Sequence, residues 1–292
     1  MVSPKIISFR SFCFLIWKYK VVSKAWRDYP SHMDRSEGSN YDITAVMQRI
    51  ATAITRSERI VVLSGAGIST ESGIPDFRGP DGVWTKNPGA EHKATIQNFV
   101  NDRNYRIQSW KNRIMNSETP KPNRAHFALV DLENKGKLST LITQNIDSLH
   151  LQAGTNIQRL IEIHGTTRDY MCLECSDRGP IEEVLLRVEK GEDDPVCKKC
   201  GGILKSATIS FGQSLNSEDI DRANTATREC DLFIAIGTSL TVYPVAALPQ
   251  IALQSGADLI ILNDGDTPYD GLATEKIAAK IGDVLPSIVN LI

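Results

Sequence analysis

Ile60-Val-Val-Leu-Ser64 runs directly into Gly65-Ala-Gly67. A short apolar run closed by glycine reads as a strand buried on both faces, as in a parallel sheet. Glycines placed straight after such a strand allow a tight turn into a helix. They also let main-chain N–H groups close on a pyrophosphate. Taken alone, the pair is a weak signal, and a plain strand-to-helix turn is an equal reading. The third glycine of a G-x-G-x-x-G pattern would fall on Thr70, and the next glycine is Gly73. That departure argues against an ordinary nicotinamide dehydrogenase.

Further along the chain, three more runs behave like the first. Leu141-Ile-Thr143 ends at Gln144-Asn-Ile-Asp147, Asp231–Ile236 ends at Gly237-Thr-Ser239, and Asp258–Leu262 ends at Asn263-Asp264. Leu160-Ile-Glu-Ile163 is strand-like as well and stops at His164-Gly165. Between them lie helical segments: Ala125–Lys135 closed by Gly136, and Ser217–Glu229. Upstream, Ile43, Val46, Met47, Ile50 and Ile54 recur at helical spacing, with Asn40 or Asp42 available as N-cap. Alternating strands and helices predict an α/β fold: a doubly wound, Rossmann-like parallel sheet covered on both faces. Ligands of such sheets bind at the carboxyl ends of the strands, where every unusual polar or glycine cluster of this chain falls. The stretch from Cys172 to Cys200 interrupts the rhythm and reads as an inserted small module, about residues 165–207.

Composition sets outer bounds. The chain has 292 residues and a net charge of −2, which gives no general reason to expect nucleic-acid or membrane-surface binding. The charge is uneven: residues 1–32 carry +5, leaving −7 for the rest. Residues 1–40 are basic and aromatic, then polar, and read as a disordered extension to a catalytic unit spanning 41–292, with Met33 an alternative start. The apolar start, Ile6–Trp17, is broken by Arg10 and too short to span a membrane. Six cysteines, four of them in two close pairs, favour a reducing compartment, and the cytoplasm is the expected location.

Cys172-x2-Cys175 and Cys197-x2-Cys200 offer four thiolates for a tetrahedral, closed, structural zinc site. A redox role for one pair is the competing reading, and the second pair favours zinc. His164 is either a satisfied core histidine or a general base with a pKa near neutrality. His126 and His150 sit in helix-like stretches and read as structural. Asp76-Phe77-Arg78 follows Gly73-Ile-Pro75 in a loop that ends at Gly82-Val-Trp84. Such a loop is either a lid that excludes water or an irregular surface segment with Phe77 and Trp84 packed inward.

Together these motifs resemble the sirtuins, the NAD-dependent protein deacylases. The resemblance is carried by Gly65-Ala-Gly-Ile-Ser69, Gly73-Ile-Pro-Asp-Phe-Arg78, Thr143-Gln-Asn-Ile-Asp-Ser-Leu-His150, Ile163-His-Gly165 and the two cysteine pairs. Ser210-Phe-Gly212, Gly237-Thr-Ser239 and Asn263 follow in the family's order. The resemblance implies that the acyl-lysine oxygen attacks the nicotinamide ribose, giving free lysine, nicotinamide and O-acyl-ADP-ribose. It implies NAD as co-substrate, a structural zinc and acyl-lysine proteins or peptides as partners. His164 matches the base that activates a ribose hydroxyl, while Asn145 and Asp147 match residues that orient the ribose and hold the nicotinamide amide. Gly65, Ala66, Gly67 and Ser69 match the diphosphate and ribose site. Asp76, Phe77 and Arg78 of the covering loop, and Gln144 and Ile146 beside Asn145, match further NAD-binding positions. Gly237, Thr238, Ser239 and Asn263 match the adenosine half, with Ile281 near the adenine. Ser210–Gly212 and Leu240-Thr-Val242 would bracket the substrate peptide as an added strand.

Two departures qualify the match. Gln213 stands where members often carry Glu. Members that prefer acidic acyl groups have a Tyr-x-x-Arg pair, whereas here Tyr105 is followed three residues later by Gln108. Neutral acyl groups such as acetyl are therefore expected. The rival functions are mono-ADP-ribosyl transfer to protein, NAD hydrolysis, and a non-catalytic NAD or acyl-lysine sensor.

Overall fold

Strands of Val, Ile and Leu with no polar alternation have to be covered on both faces. In the computed structural model of the chain they are. It describes residues 42–115 and 120–292; the expected extension at 1–40 and the Asn40 cap lie outside them. From Ile43 to Ile292 the chain forms one compact unit. Its strands are β1 (Ile60–Ser64), β2 (Leu138–Thr143), β3 (Leu160–Glu162), β4 (Gly165–Cys172), β5 (Arg178–Pro180), β6 (Leu204–Thr208), β7 (Leu232–Ile236), β8 (Asp258–Leu262) and β9 (Glu275–Ile277). The longer helices are α1 (Ile43–Arg56), α2 (Ile96–Asn101), α3 (Arg103–Met115), α4 (Arg124–Asn134), α5 (Leu149–Ala153), α6 (Ile181–Glu189), α7 (Ser217–Glu229), α8 (Leu248–Gln254) and α9 (Ile281–Asn290).

Six strands form the main sheet in the order β3-β2-β1-β7-β8-β9, all parallel. The chain leaves β1 toward one edge and later returns at β7 to build the other. The order therefore reverses between β1 and β7, which opens a crevice at their carboxyl ends. Successive side chains point to opposite faces. Ile60, Val62, Leu232 and Ile234 join α1, α4 and α9 in one core, while Val61, Leu63, Phe233 and Ala235 join α7 and α8 in the other.

The expected strands and helices are present with small shifts. β2 starts at Leu138 rather than Leu141, and β7 starts at Leu232 rather than Asp231, whose carboxylate accepts from the Glu58 and Arg59 N–H groups. β9 was not anticipated: Glu275-Lys-Ile277 carries one apolar residue, and its pairing with β8 places it at the sheet edge.

β4, β5 and β6 form a separate antiparallel sheet in the order β5-β4-β6. Its core contains Cys172, Cys197, Ile181, Val184, Val188 and Leu204, and also Trp110 from α3. The inserted module thus draws on two excursions of the chain, one at 165–208 and one between β1 and β2.

Candidate active site

The crevice is floored by main chain packed on main chain. Gly65 N–H donates to Ile236 O (2.9 Å), Gly67 N–H to Gly237 O (2.8 Å) and Gly237 N–H to Leu262 O (2.9 Å). A Cβ on Gly67 would lie 2.8 Å from Gly237 Cα. Gly237 has φ +59°, and a Cβ there would sit 2.4 Å from Ile68 N. These glycines are therefore required by the approach of one loop to the other, in addition to any approach to phosphate. The segment Ala66–Ser72 leaves this floor as a 3-10 helix ending at Gly73 in the left-handed region.

The end of β2 supplies the polar groups. Asn145 is buried, and its Nδ2 donates to Gly65 O (3.2 Å) and Ser69 Oγ (3.1 Å). Ser69 Oγ donates to Asp147 Oδ2 at 2.7 Å, and Asp147 Oδ1 accepts from Leu149 N–H at 3.0 Å. Gln144 Nε2 donates to Thr238 Oγ1 (2.9 Å), tying this loop to the end of β7. Ile146 O accepts from the Thr167 N–H and hydroxyl. One connected network thus joins Asn145, Ser69 and Asp147, with Gln144 and Thr238 beside it.

His164 lies at the carboxyl side of β3, with Nδ1 3.1 Å from Gln144 O. A carbonyl only accepts, so Nδ1 carries the proton and Nε2 is left with a free lone pair. Burial lowers the imidazole pKa, partly opposed by the Gln144 bond. The ring is neutral at physiological pH and held in one orientation, a geometry that a base would need.

The remaining matched residues fall on the loop after Gly73, after the ends of β7 and β8, and on α9. Phe77 is 45% exposed and packs on Trp84 at 4.6 Å between ring centroids. Trp84 in turn meets Phe211 at 5.7 Å, and the Arg78 guanidinium lies over its ring at 4.4 Å. Asp76 Oδ1 accepts from Gly79 N–H and shapes the turn of this loop. Ser239 Oγ pairs with Thr241 Oγ1, and Asn263 Nδ2 donates to Gly265 O. Ile281 is 6% exposed and belongs mainly to the core at the first turn of α9. Phe211, expected to receive a peptide strand, already pairs with its own chain: its N–H donates to Ala94 O, and its carbonyl accepts from Ile96 N–H.

The four cysteines converge. Cys172 and Cys200 Sγ are 3.5 Å apart, Cys175 and Cys197 Sγ 3.7 Å, and all four lie within 4.8 Å of one another. Zn–S bonds of about 2.3 Å in a tetrahedron place sulfurs about 3.8 Å apart. Lys199 and Gly202 N–H groups point at Cys197 and Cys200 Sγ, each at 3.4 Å, as support for thiolates. The residues fit one structural zinc.

Further contacts involve residues already named and Lys205, which the sequence did not single out. Trp84 bridges the covering loop to Phe211. His126 and His150, read as structural within helices, pack against each other with ring centroids 4.9 Å apart. Lys205 is buried, with its pKa lowered to about 8 by burial and by Arg113, and its ammonium bonds Thr208 O and Oγ1. Arg113 donates to Ser206 Oγ at 2.7 Å. Gln108 bonds Asn112 instead of any cation partner, and Gln213 Oε1 accepts from Ser210 N–H within its own turn, a role a Glu could also fill. A cavity of about 730 Å³ beside α7 is lined by none of the matched residues.

Residues 65–244 match the Sir2 family. The NAD-dependent protein deacetylase 2 of Streptomyces coelicolor is 44% identical over 81% of this chain and 99% of its own. The NAD-dependent protein deacetylase of Sulfolobus acidocaldarius is 42% identical over 83% and 94%. Among solved structures, one described as a structural basis for the mechanism and regulation of Sir2 enzymes has a TM-score of 0.77 at 38% identity, covering 85% of this chain and 98% of its own. A Sir2–p53 peptide–NAD+ complex has a TM-score of 0.75 at 35% identity, covering 84% and 97%. With the sheet order, the strand-end network and the cysteine cluster already agreeing, these matches settle the kinship: the chain belongs to the Sir2, or sirtuin, family.

Proposed function

We propose that the chain is an NAD-dependent protein-lysine deacetylase acting on acetyl and other neutral acyl groups, with residues 41–292 as its catalytic unit. The carrying observation is His164: its Nδ1–H is held by the carbonyl of Gln144, the neighbour of Asn145 in the chain, which leaves Nε2 as the basic nitrogen. A sensor needs no base in this orientation.

Each residue has a task set by its chemistry. Asn145 and Asp147 orient the nicotinamide half of NAD, which is positioning and electrostatics rather than covalent catalysis. His164 takes the proton from a ribose hydroxyl as that oxygen attacks the bound acyl carbon. Phe77 covers the departing nicotinamide and keeps water out. Gly65, Ala66, Gly67 and Ser69 face the diphosphate, while Gly237, Thr238, Ser239 and Asn263 face the adenosine half. The substrate lysine lies on an extended peptide between the Gly212–Gln213 turn and Leu240–Val242, since the Phe211 main chain is engaged by Ala94 and Ile96. Zinc holds the small module in shape when bound to Cys172, Cys175, Cys197 and Cys200.

Relatives named as NAD-dependent protein deacetylases and a Sir2 complex with deacetylated p53 peptide and 3'-O-acetyl ADP-ribose support this reading. No helix among the described residues is long and apolar enough to cross a membrane, and we place the enzyme in the cytoplasm. Mass spectrometry on NAD with acetylated and unmodified peptide is the test. O-Acetyl-ADP-ribose formed only with acetylated peptide supports deacetylation. ADP-ribosylated protein, or free ADP-ribose without peptide dependence, would point to the rival acceptors.

A further inference from the structure

Two buried histidines take no part in the chemistry above. His126 on α4 and His150 on α5 are 0% and 2% exposed, and each keeps one ring nitrogen, His126 Nε2 and His150 Nδ1, with no hydrogen-bond partner among the described residues. Their other contacts assign the protons. Ser64 Oγ gives its single proton to Thr143 Oγ1 at 2.9 Å, so it can only accept from His150 Nε2, also at 2.9 Å. His150 therefore carries its proton on Nε2 and presents a bare Nδ1.

On the other ring, the Asn123 N–H donates to His126 Nδ1 at 3.3 Å as part of the cap of α4. Asn123 Oδ1, 3.1 Å from the same nitrogen, also receives the Ala125 N–H, and the capping box of α4 takes His126 Nδ1 as an acceptor. With Nδ1 accepting, the proton of His126 sits on Nε2. The two unpartnered nitrogens are then one donor and one acceptor, on rings whose centroids are 4.9 Å apart. The χ2 torsion of histidine is broad, so the two rings can turn relative to each other.

We propose that His126 Nε2–H donates to His150 Nδ1, and that this bond closes a buried seam which makes His150 a positioning residue for Asn145. The seam begins at the 3-10 segment, where Asn123 Nδ2 donates to Ile68 O (2.8 Å) and Ser72 Oγ (3.0 Å). It runs through His126, His150, Ser64 and Thr143, and ends where Thr143 Oγ1 accepts the Asn145 N–H at 3.1 Å. Both ends reach the loops that carry Ser69 and Asn145, whose side chains bond each other. The seam fixes that pair from behind. Its functional half rests on Asn145 serving the nicotinamide-releasing step, as assigned above; the hydrogen bond itself does not.

The test uses the full chain labelled with 15N-histidine near pH 7.5. Long-range proton–nitrogen spectra are expected to show His126 and His150 neutral and protonated on Nε2, with His150 Nδ1 shifted as a hydrogen-bonded acceptor. His164 serves as the internal contrast, protonated on Nδ1. An Nδ1–H tautomer at His126 or His150, or a free-acceptor signal at His150 Nδ1, overturns the bond. For function, His150→Phe and Ser64→Ala are compared by nicotinamide exchange, with melting temperature and zinc content as controls. Each should lower exchange and deacetylation in parallel by on the order of tenfold or more. The double variant should lose little beyond the worse single variant, because one seam is broken twice. His150→Gln, which can donate to Ser64 and accept from His126, should recover exchange toward wild type. Multiplicative losses, or normal exchange per folded molecule in His150→Phe, overturn the positioning role. An Asn145→Ala variant with normal exchange would overturn the assignment of Asn145 and the positioning role with it, while the imidazole bond is still read directly by the spectra.

Discussion

Replacing His164 by Asn separates proton transfer from orientation. In the native site the Nδ1–H donates to Gln144 O at 3.1 Å, and Nε2 is the free base. An Asn amide can place an N–H near the Nδ1 position and keep the Gln144 bond, but it has no basic nitrogen. His164→Ala removes both. Loss of a general base costs about 10²–10⁴ in rate, or roughly 2.7–5.4 kcal/mol at 1.36 kcal/mol per decade. The additional hydrogen bond lost in the Ala variant is worth about 0.5–1.5 kcal/mol, so Ala should be at most about tenfold worse than Asn. Deacetylation is followed with an acetylated peptide, and labelled nicotinamide exchange reports the first step alone. Both variants should retain exchange while deacetylation collapses. In the native enzyme burial lowers the His164 pKa, so the neutral, active ring persists below pH 6.5, and the acid limb of kcat/KM should lie under the ordinary imidazole value. A His164→Asn enzyme retaining more than about a tenth of native deacetylation would refute the base assignment, since less than one decade is below the range for a lost base.

The remaining expectations follow from packing, metal and charge. Purified protein should contain one zinc per chain, and chelation or Cys172→Ala should unfold or aggregate the small module; metal analysis without stoichiometric zinc would end that view. Gly237→Ala should destabilise the chain by about 1–3 kcal/mol or more in urea melts, from a positive φ and a Cβ 2.4 Å from Ile68 N, and should weaken NAD binding. On one peptide, kcat/KM should favour acetyl over succinyl; the reverse order would direct attention to the partly buried Arg113 and the buried Lys205. His126 and His150 have pKa values depressed by burial to about 4 and about 3. The unfolded chain binds these protons near pH 6.5 and the folded chain does not. Stability should therefore be full above pH 6.5 and fall steadily below it toward the folded values, as melting temperature against pH would record.

What the sequence determined by itself was whatever is local or strictly periodic. Ile60–Ser64, Asp231–Ile236 (Leu232–Ile236 in the fold) and Asp258–Leu262 could be placed because an apolar run without alternation has to be a strand covered on both faces, and the glycine or Asn that follows marks its carboxyl end. The cysteine ligands were legible because C-x2-C spacing is dictated by the geometry of two thiolates on one metal. His164, Asn145 and Asp147 were assigned only through a resemblance, since a single histidine after a strand carries no local signature of a base. The tertiary structure decided what depends on residues distant in the chain. β9 owes its strand to pairing with β8 rather than to its own composition. Trp110 joins the zinc module from α3 because the module's apolar face needs a cover that its own residues do not supply. Gly67 and Gly237 are needed because two loops about 170 residues apart meet main chain to main chain. The proton on His164 Nδ1, and so the free base on Nε2, follows from the carbonyl of Gln144, twenty residues earlier. Which nitrogen of a histidine is basic is set by the partner of the other nitrogen, and that partner is chosen by the fold.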